Sequence, residues 1–277
     1  MAAAAAVALL ALAALAGWWQ RDASLQRVRD AGVLRIGYAV APPYAWVGDD
    51  GTVRGESPES ARVVAARLGL PRVEWVQVGF AELVPGLLER RYDLVASGLF
   101  VSPQRAQQVG FADPLVRAVP GLLVRRGNPL ALHAYADVRA GAARVAVIDG
   151  SVAQARLLAL GVPAERLLTV PDPQTGRLAV ERGHADALAL SLPALAWMAR
   201  SVPGMLEALE LGATPAADSH DVAVAFHPDD RALRAAWNAA QAGWGGSAEH
   251  RRVVHGLGFV VASAPSAAAT ASAAASR

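Results

Sequence analysis

The chain has 277 residues, 54% of them hydrophobic, and a formal charge of only +2, which allows two modest domains with real cores. That charge balance argues against a nucleic-acid footprint and against a strongly acidic substrate. Cysteine and lysine are both absent, so disulfides, thiolate metal sites, cysteine nucleophiles, Schiff-base lysines and P-loops are excluded.

In chain order, residues 2–17 form an apolar run of Ala, Leu and Val, too short for a typical spanning helix and closer to a signal-peptide core. Ala14, Leu15 and Ala16 supply a small-x-small cleavage pattern, although the nearest basic residue, Arg21, lies on the far side of the run. Residues 1–21 are therefore expected to be an export signal cleaved near Ala16, or an uncleaved anchor. Strand-like and helix-like segments then alternate, the mark of an α/β chain with largely parallel pairing. Strands are expected over 33–40, 73–78 and 94–97, with helices from the Ser57–Pro58 start to Gly69 and over 83–90. Ser102 and Pro103 start another short helix. A second block has strands over 121–124, 144–148, 167–170 and 187–190, a helix over 152–160 after Gly150 and Ser151, and another ending near Gly183. A strand over 222–226 and helices over 230–240 and 248–255 complete the order, and the Ala/Ser/Thr/Pro-rich tail 262–277 is expected to be disordered. Two strand-plus-turn segments bracketing a central block suit a chain that crosses between lobes twice. One lobe is expected over 32–117 plus 219–261 and the other over 118–218.

The stretch from Asp93 through Gly98, Phe100, Ser102, Pro103 and Arg105 to Phe111, Asp113 and Pro114 resembles the amino-acid-type (family 3) periplasmic solute-binding proteins. Leu34 to Gly37 with Pro42, Pro43 and Tyr44 matches that family's opening; Gly183 to Ala187 and Ala225 to Asp229 match its later landmarks. Gly55 to Glu59, Leu83 to Leu87 and Val170 to Gln174 look most like the ectoine- and hydroxyectoine-binding members. The resemblance implies an α/β, two-lobed periplasmic-binding-protein (type II) fold, with two mixed sheets flanked by helices and a two-strand hinge. It also implies an exported, periplasmic or extracellular monomer that takes a small zwitterionic solute and hands it to an ABC transporter permease.

On the residues alone, Arg105 in the first turn after Ser102 and Pro103 fits a carboxylate site as well as it fits a surface residue paired with Asp113. The resemblance implies the carboxylate role. Gly150 and Ser151, between a strand and a helix, read as a helix cap or an anion-binding loop; the family uses this loop for the ligand carboxylate. Tyr44, Phe80 and Phe100 follow strands and face the expected crevice, where similar aromatics enclose a delocalised cation; Trp46 is a weaker candidate. Gly98 and Ser191 complete the expected site. Two acids usual among relatives are missing, since Ser191 and Ala41 stand in their places, and Asp149 is either a substitute or a turn residue.

Enzyme signals are thin: six histidines are scattered without metal-ligand spacing, and His220, His250 and His255 read most simply as surface residues. No catalytic residue, metal or cofactor is expected. The alternatives are a sensory or accessory binding module and a carboxylate dehydratase of the same fold, which would need a proton-transferring group in the crevice.

Overall fold

The computed structural model describes residues 22–211, 220–255 and 257–262, so the expected leader over 1–21 and nearly all of the expected tail lie outside the described residues. The first lobe is a five-stranded sheet in the order Val73–Gln77, Leu34–Tyr38, Leu94–Val95, Ala225–Phe226, Gly110–Phe111. Ala225–Phe226 alone runs against its neighbours. The second lobe repeats the pattern with Leu167–Val170, Val145–Ile148, Ala187–Ser191, Pro120–Arg125, Leu206–Glu210, and there Pro120–Arg125 is the reversed strand. In each sheet the reversed strand is the one entered just after the chain crosses from the other lobe. The fold is thus two-lobed α/β, with mixed sheets flanked by helices.

The crossing is built differently from the sequence expectation. Val116–Ala118 and His220–Val222 pair antiparallel, and Val260–Val261 adds a third strand on the other edge of Val116–Ala118. The apolar run over 222–226 breaks at Ala223 and Val224, so its first end serves the hinge and Ala225–Phe226 serves the first sheet.

Continuous apolar runs such as Val145–Ile148 are buried at every position, as strands covered on both faces must be. The first core gathers Leu34, Ile36, Val64, Leu94, Phe226 and Trp237; the second gathers Leu122, Val124, Val145, Val147 and Leu157. Each such fully buried side chain contributes roughly 1.5–3 kcal/mol relative to exposure. A further cluster runs from Tyr44 through the hinge residues Val116, Ala118 and Val222 to Ile148 and Leu195, so apolar packing is continuous beneath the crevice.

One helix start is corrected. The helix is Glu56–Arg67 with Gly55 at its N-cap at φ 128°, so Ser57 lies inside the first turn and its hydroxyl is released for other bonds. A Cβ at Gly55 would collide with the Tyr44 carbonyl, which explains the glycine. Among the described residues no helix is long and apolar enough to cross a membrane.

Candidate functional site

A cleft of about 1050 Å³ opens between the lobes, and Tyr44, Phe80, Gly98, Phe100, Arg105, Ser151 and Ser191 all line it. The structure therefore brings together residues that lie up to 147 positions apart (191 − 44). Trp46 and Asp149 are not in the lining; Asp149 is exposed and its N–H bonds the Val170 carbonyl, a turn role.

Arg105 is held from three sides. Its Nη1 donates to the Phe100 carbonyl and its Nη2 to the Gly150 carbonyl across the cleft, each at 3.0 Å. The guanidinium carbon lies 5.5 Å from the Phe80 ring centroid, a cation–π contact. Burial lowers the Arg105 guanidinium from its ordinary value to about 10. That is the penalty of a desolvated cation bonded to neutral carbonyls, and an anion relieves it. The alternative pairing with Asp113 does not occur, because Arg105 turns to the two carbonyls. Ser102 caps as expected, accepting from the Arg105 N–H at 3.3 Å, but the helix Pro103–Ala106 is a single turn. Its dipole is correspondingly small, so the positive charge at this position is that of the side chain.

Gly98 adopts φ 67°, and a Cβ there would collide with the Tyr44 side chain, so only glycine lets the loop and Tyr44 approach this closely. Tyr44 is buried, edge-on to Phe100 at 6.2 Å and to Phe259 at 4.9 Å. Phe100 stacks on His220 at 5.3 Å, and Phe80 covers Arg105. One side of each of these aromatics is thus committed to the protein. His220 is half-buried and lines the cleft, and His250 is fully buried, so the surface reading of these two is corrected; His255 is exposed.

Ser151 caps the helix Val152–Ala159, its Oγ accepting from the Gln154 N–H at 3.1 Å while Gln154 Oε1 accepts from the Gly150 N–H at 2.9 Å. Ser191 ends a strand at the start of the helix Leu192–Ser201 but makes no cap bond, and its hydroxyl, like that of Tyr44, has no well-formed hydrogen bond. Burial pushes the Tyr44 hydroxyl well above its ordinary value, opposed by the nearby Ser191 hydroxyl and reinforced by the negative charge of Glu56. Sequence reasoning missed Trp197 and Met198 of the same helix and the acids Glu82 and Asp172, which also line the cleft. Glu82 is exposed at the rim, and both Asp172 oxygens are taken by Thr175. Trp197 meets Trp46 at 4.9 Å, a contact between lobes. Among the described residues, no group of three or more His, Asp or Glu side chains is placed to hold a metal ion.

Two lobes of matched topology, a hinge and a cleft with a cation reaching across it define a class of solute binders. The chain belongs to the bacterial extracellular solute-binding proteins, family 3, whose model matches residues 34–245. It is 33% identical over 199 residues to a probable amino-acid ABC transporter periplasmic-binding protein of Sinorhizobium fredii, covering 71% of this chain and 65% of that protein. It is 28% identical over 208 residues to the membrane-bound lytic murein transglycosylase F of Maricaulis maris, covering 73% of this chain and 44% of that protein. The chain thus spans less than two thirds of the length of these relatives. Among solved structures, EhuB in complex with hydroxyectoine superposes with a TM-score of 0.80 at 28% identity, covering 92% of this chain and 96% of that one.

Proposed function

We propose that the chain is the extracytoplasmic capture component of an ABC uptake system, closing on a small zwitterion, either an ectoine-like compatible solute or an amino-acid derivative. The observation that carries this is Arg105, which is desolvated and spans the cleft from the Phe100 carbonyl to the Gly150 carbonyl. A ligand carboxylate taking the place of either carbonyl exchanges a neutral acceptor for a charge-assisted, bidentate one. Because Arg105 sits on one lobe and the Gly150–Ser151 loop on the other, a carboxylate between them binds the closed arrangement more tightly than the open one. Closure follows from that difference alone. The names of the amino-acid transporter relative and of the hydroxyectoine complex support the ligand class.

The role is binding without turnover. Proton transfer needs an acid or base placed to reach the ligand; of the cleft groups, Glu82 is exposed at the rim, Asp172 is bound up in its helix cap and His220 is stacked on Phe100 at 5.3 Å. Titration calorimetry against ectoine, hydroxyectoine, betaines and amino acids tests both halves. Arg105→Ala is expected to weaken the best ligand about 100-fold, or about 3 kcal/mol. Unchanged affinity would sink the carboxylate assignment, and a product peak by mass spectrometry after incubation would sink the non-catalytic one.

A further inference from the structure

Behind the cleft wall lies a buried acid that the proposed site does not use. Glu56 is 3% exposed, its carboxylate bonded by the Ser57 and Ser60 hydroxyls and approached by His250. The direction of every proton around it follows from the next bond out. Ser57 Oγ accepts the Gly98 N–H at 3.1 Å, so its own proton goes to Glu56 Oε2 at 2.9 Å. Ser60 Oγ accepts the Trp244 indole N–H at 3.2 Å, so its proton goes to Oε1 at 3.3 Å. His250 Nδ1 accepts the Gly246 N–H at 3.1 Å, which puts the ring proton on Nε2, 3.9 Å from Oε1.

Two hydroxyl donors therefore bond Glu56, as an acceptor-only carboxylate requires, and His250 Nε2 faces it from 3.9 Å without a hydrogen-bond partner. None of them brings a positive charge, because an imidazole that accepts at Nδ1 is neutral. A buried carboxylate without a cationic partner is costly unless something offsets it. The Glu56 N–H bonds the Pro43 carbonyl and the Ser57 N–H bonds the Tyr44 carbonyl, both at 3.1 Å. The anion thus sits directly behind the turn that presents Tyr44, one hydroxyl away from Gly98. Both Tyr44 and Gly98 line the cleft.

We infer that Glu56 is the counter-charge for the ligand's positive group, acting from behind the wall through Ser57 and Gly98. It is a positioning residue that sets specificity. It favours carboxylates that also carry a cation over carboxylates that do not, and it rests on the reading of Arg105 as the carboxylate anchor. With no acid in direct contact, the favoured cation is one of dispersed charge, as in a ring amidine or an N-substituted amine, which loses less hydration than a primary ammonium.

The test is titration calorimetry on the full chain with matched probes: hydroxyectoine against cyclohexanecarboxylate, and L-proline against cyclopentanecarboxylate. The wild type is expected to bind the better zwitterion at least about tenfold more tightly than its nitrogen-free counterpart, and Glu56→Gln to erase most of that preference. The amide keeps an oxygen for a serine hydroxyl, so a purely structural role would weaken both probes alike. A preference that survives in Glu56→Gln, or a wild type without one, overturns the inference. Ionic strength decides independently should the variant fail to fold. A buried charge keeps the wild-type preference level between about 0.05 and 0.5 M salt, whereas a preference that fades with salt belongs to rim acids such as Glu82. Failure of all four probes to bind, or Arg105→Ala leaving them unaffected, overturns the carboxylate reading itself and this inference with it.

Discussion

Strand order is the same in both sheets, yet the lobes meet the cleft with different chemistry. The first lobe presents a loop, 97–105, whose atoms are fixed from behind. Ser97 Oγ is bonded to both the N–H and the carbonyl of Ala39, Gly98 is bonded to Ser57, and Arg105 is bonded to Phe100. The second lobe presents helix starts after Ile148, Val170 and Ser191, together with the apolar side chains Leu190, Ala194, Trp197 and Met198. Under the proposed function, the difference gives charge recognition to the first lobe, while the second supplies shape and the closing contact. One topology serves both because parallel strands deliver either a loop or a helix start at their carboxyl ends, and the residues there decide which chemistry appears.

The sharpest way to break this division is at Gly98. Gly98→Ala forces an L-residue to φ 67° and drives a methyl into the Tyr44 ring. The combined cost is expected to be about 3 kcal/mol. Urea unfolding should show the first lobe's transition shifted down and the second lobe's unmoved, with ligand affinity lost in parallel. A variant as stable as the wild type would show that the loop is not held as rigidly as its bonds imply.

Much of the first lobe's contribution was legible in the sequence because it is local: Gly98, Phe100, Ser102 and Arg105 fall within one loop and helix turn, where cap and proline signals place them. Ser151 was legible as a strand-to-helix junction, and Ser191 only through the family resemblance, as the residue standing where relatives carry an acid. The rest depends on contacts between distant segments. Trp197 is one more apolar residue between the strand 187–190 and the hinge, with no helix expected there, until the structure shows Leu192–Ser201 and brings Trp46 against it. His250 reads as a surface residue because its neighbours Glu249 and Arg251 are charged and exposed; its burial comes from packing near Trp244 and Glu56. The third hinge strand is two residues long, Val260–Val261, too short to leave any periodicity.

Closure is the next point of comparison. Trp197→Ala removes the ring that meets Trp46 across the cleft, and an aromatic pair is worth about 1 kcal/mol beyond its area. Small-angle scattering is expected to show the population of the compact form reduced about fivefold, with the thermal stability of the first lobe unchanged. No change in the scattering radius would remove Trp197 from the closing contact.

The smallest expected effect separates two roles for Ser151. Its hydroxyl accepts from the Gln154 N–H, so in the structure it serves the helix Val152–Ala159. Ser151→Ala should cost about 1 kcal/mol of local stability, read as roughly fivefold faster amide exchange in the first turn of that helix. The carbonyl of Gly150 and the backbone of the loop, which face Arg105, remain in place, so ligand affinity is expected to change less than about twofold. If affinity instead falls tenfold while exchange is unaltered, the hydroxyl leaves its cap to bind the ligand. The second lobe would then contribute polar recognition as well as shape, and the division between the lobes would have to be redrawn.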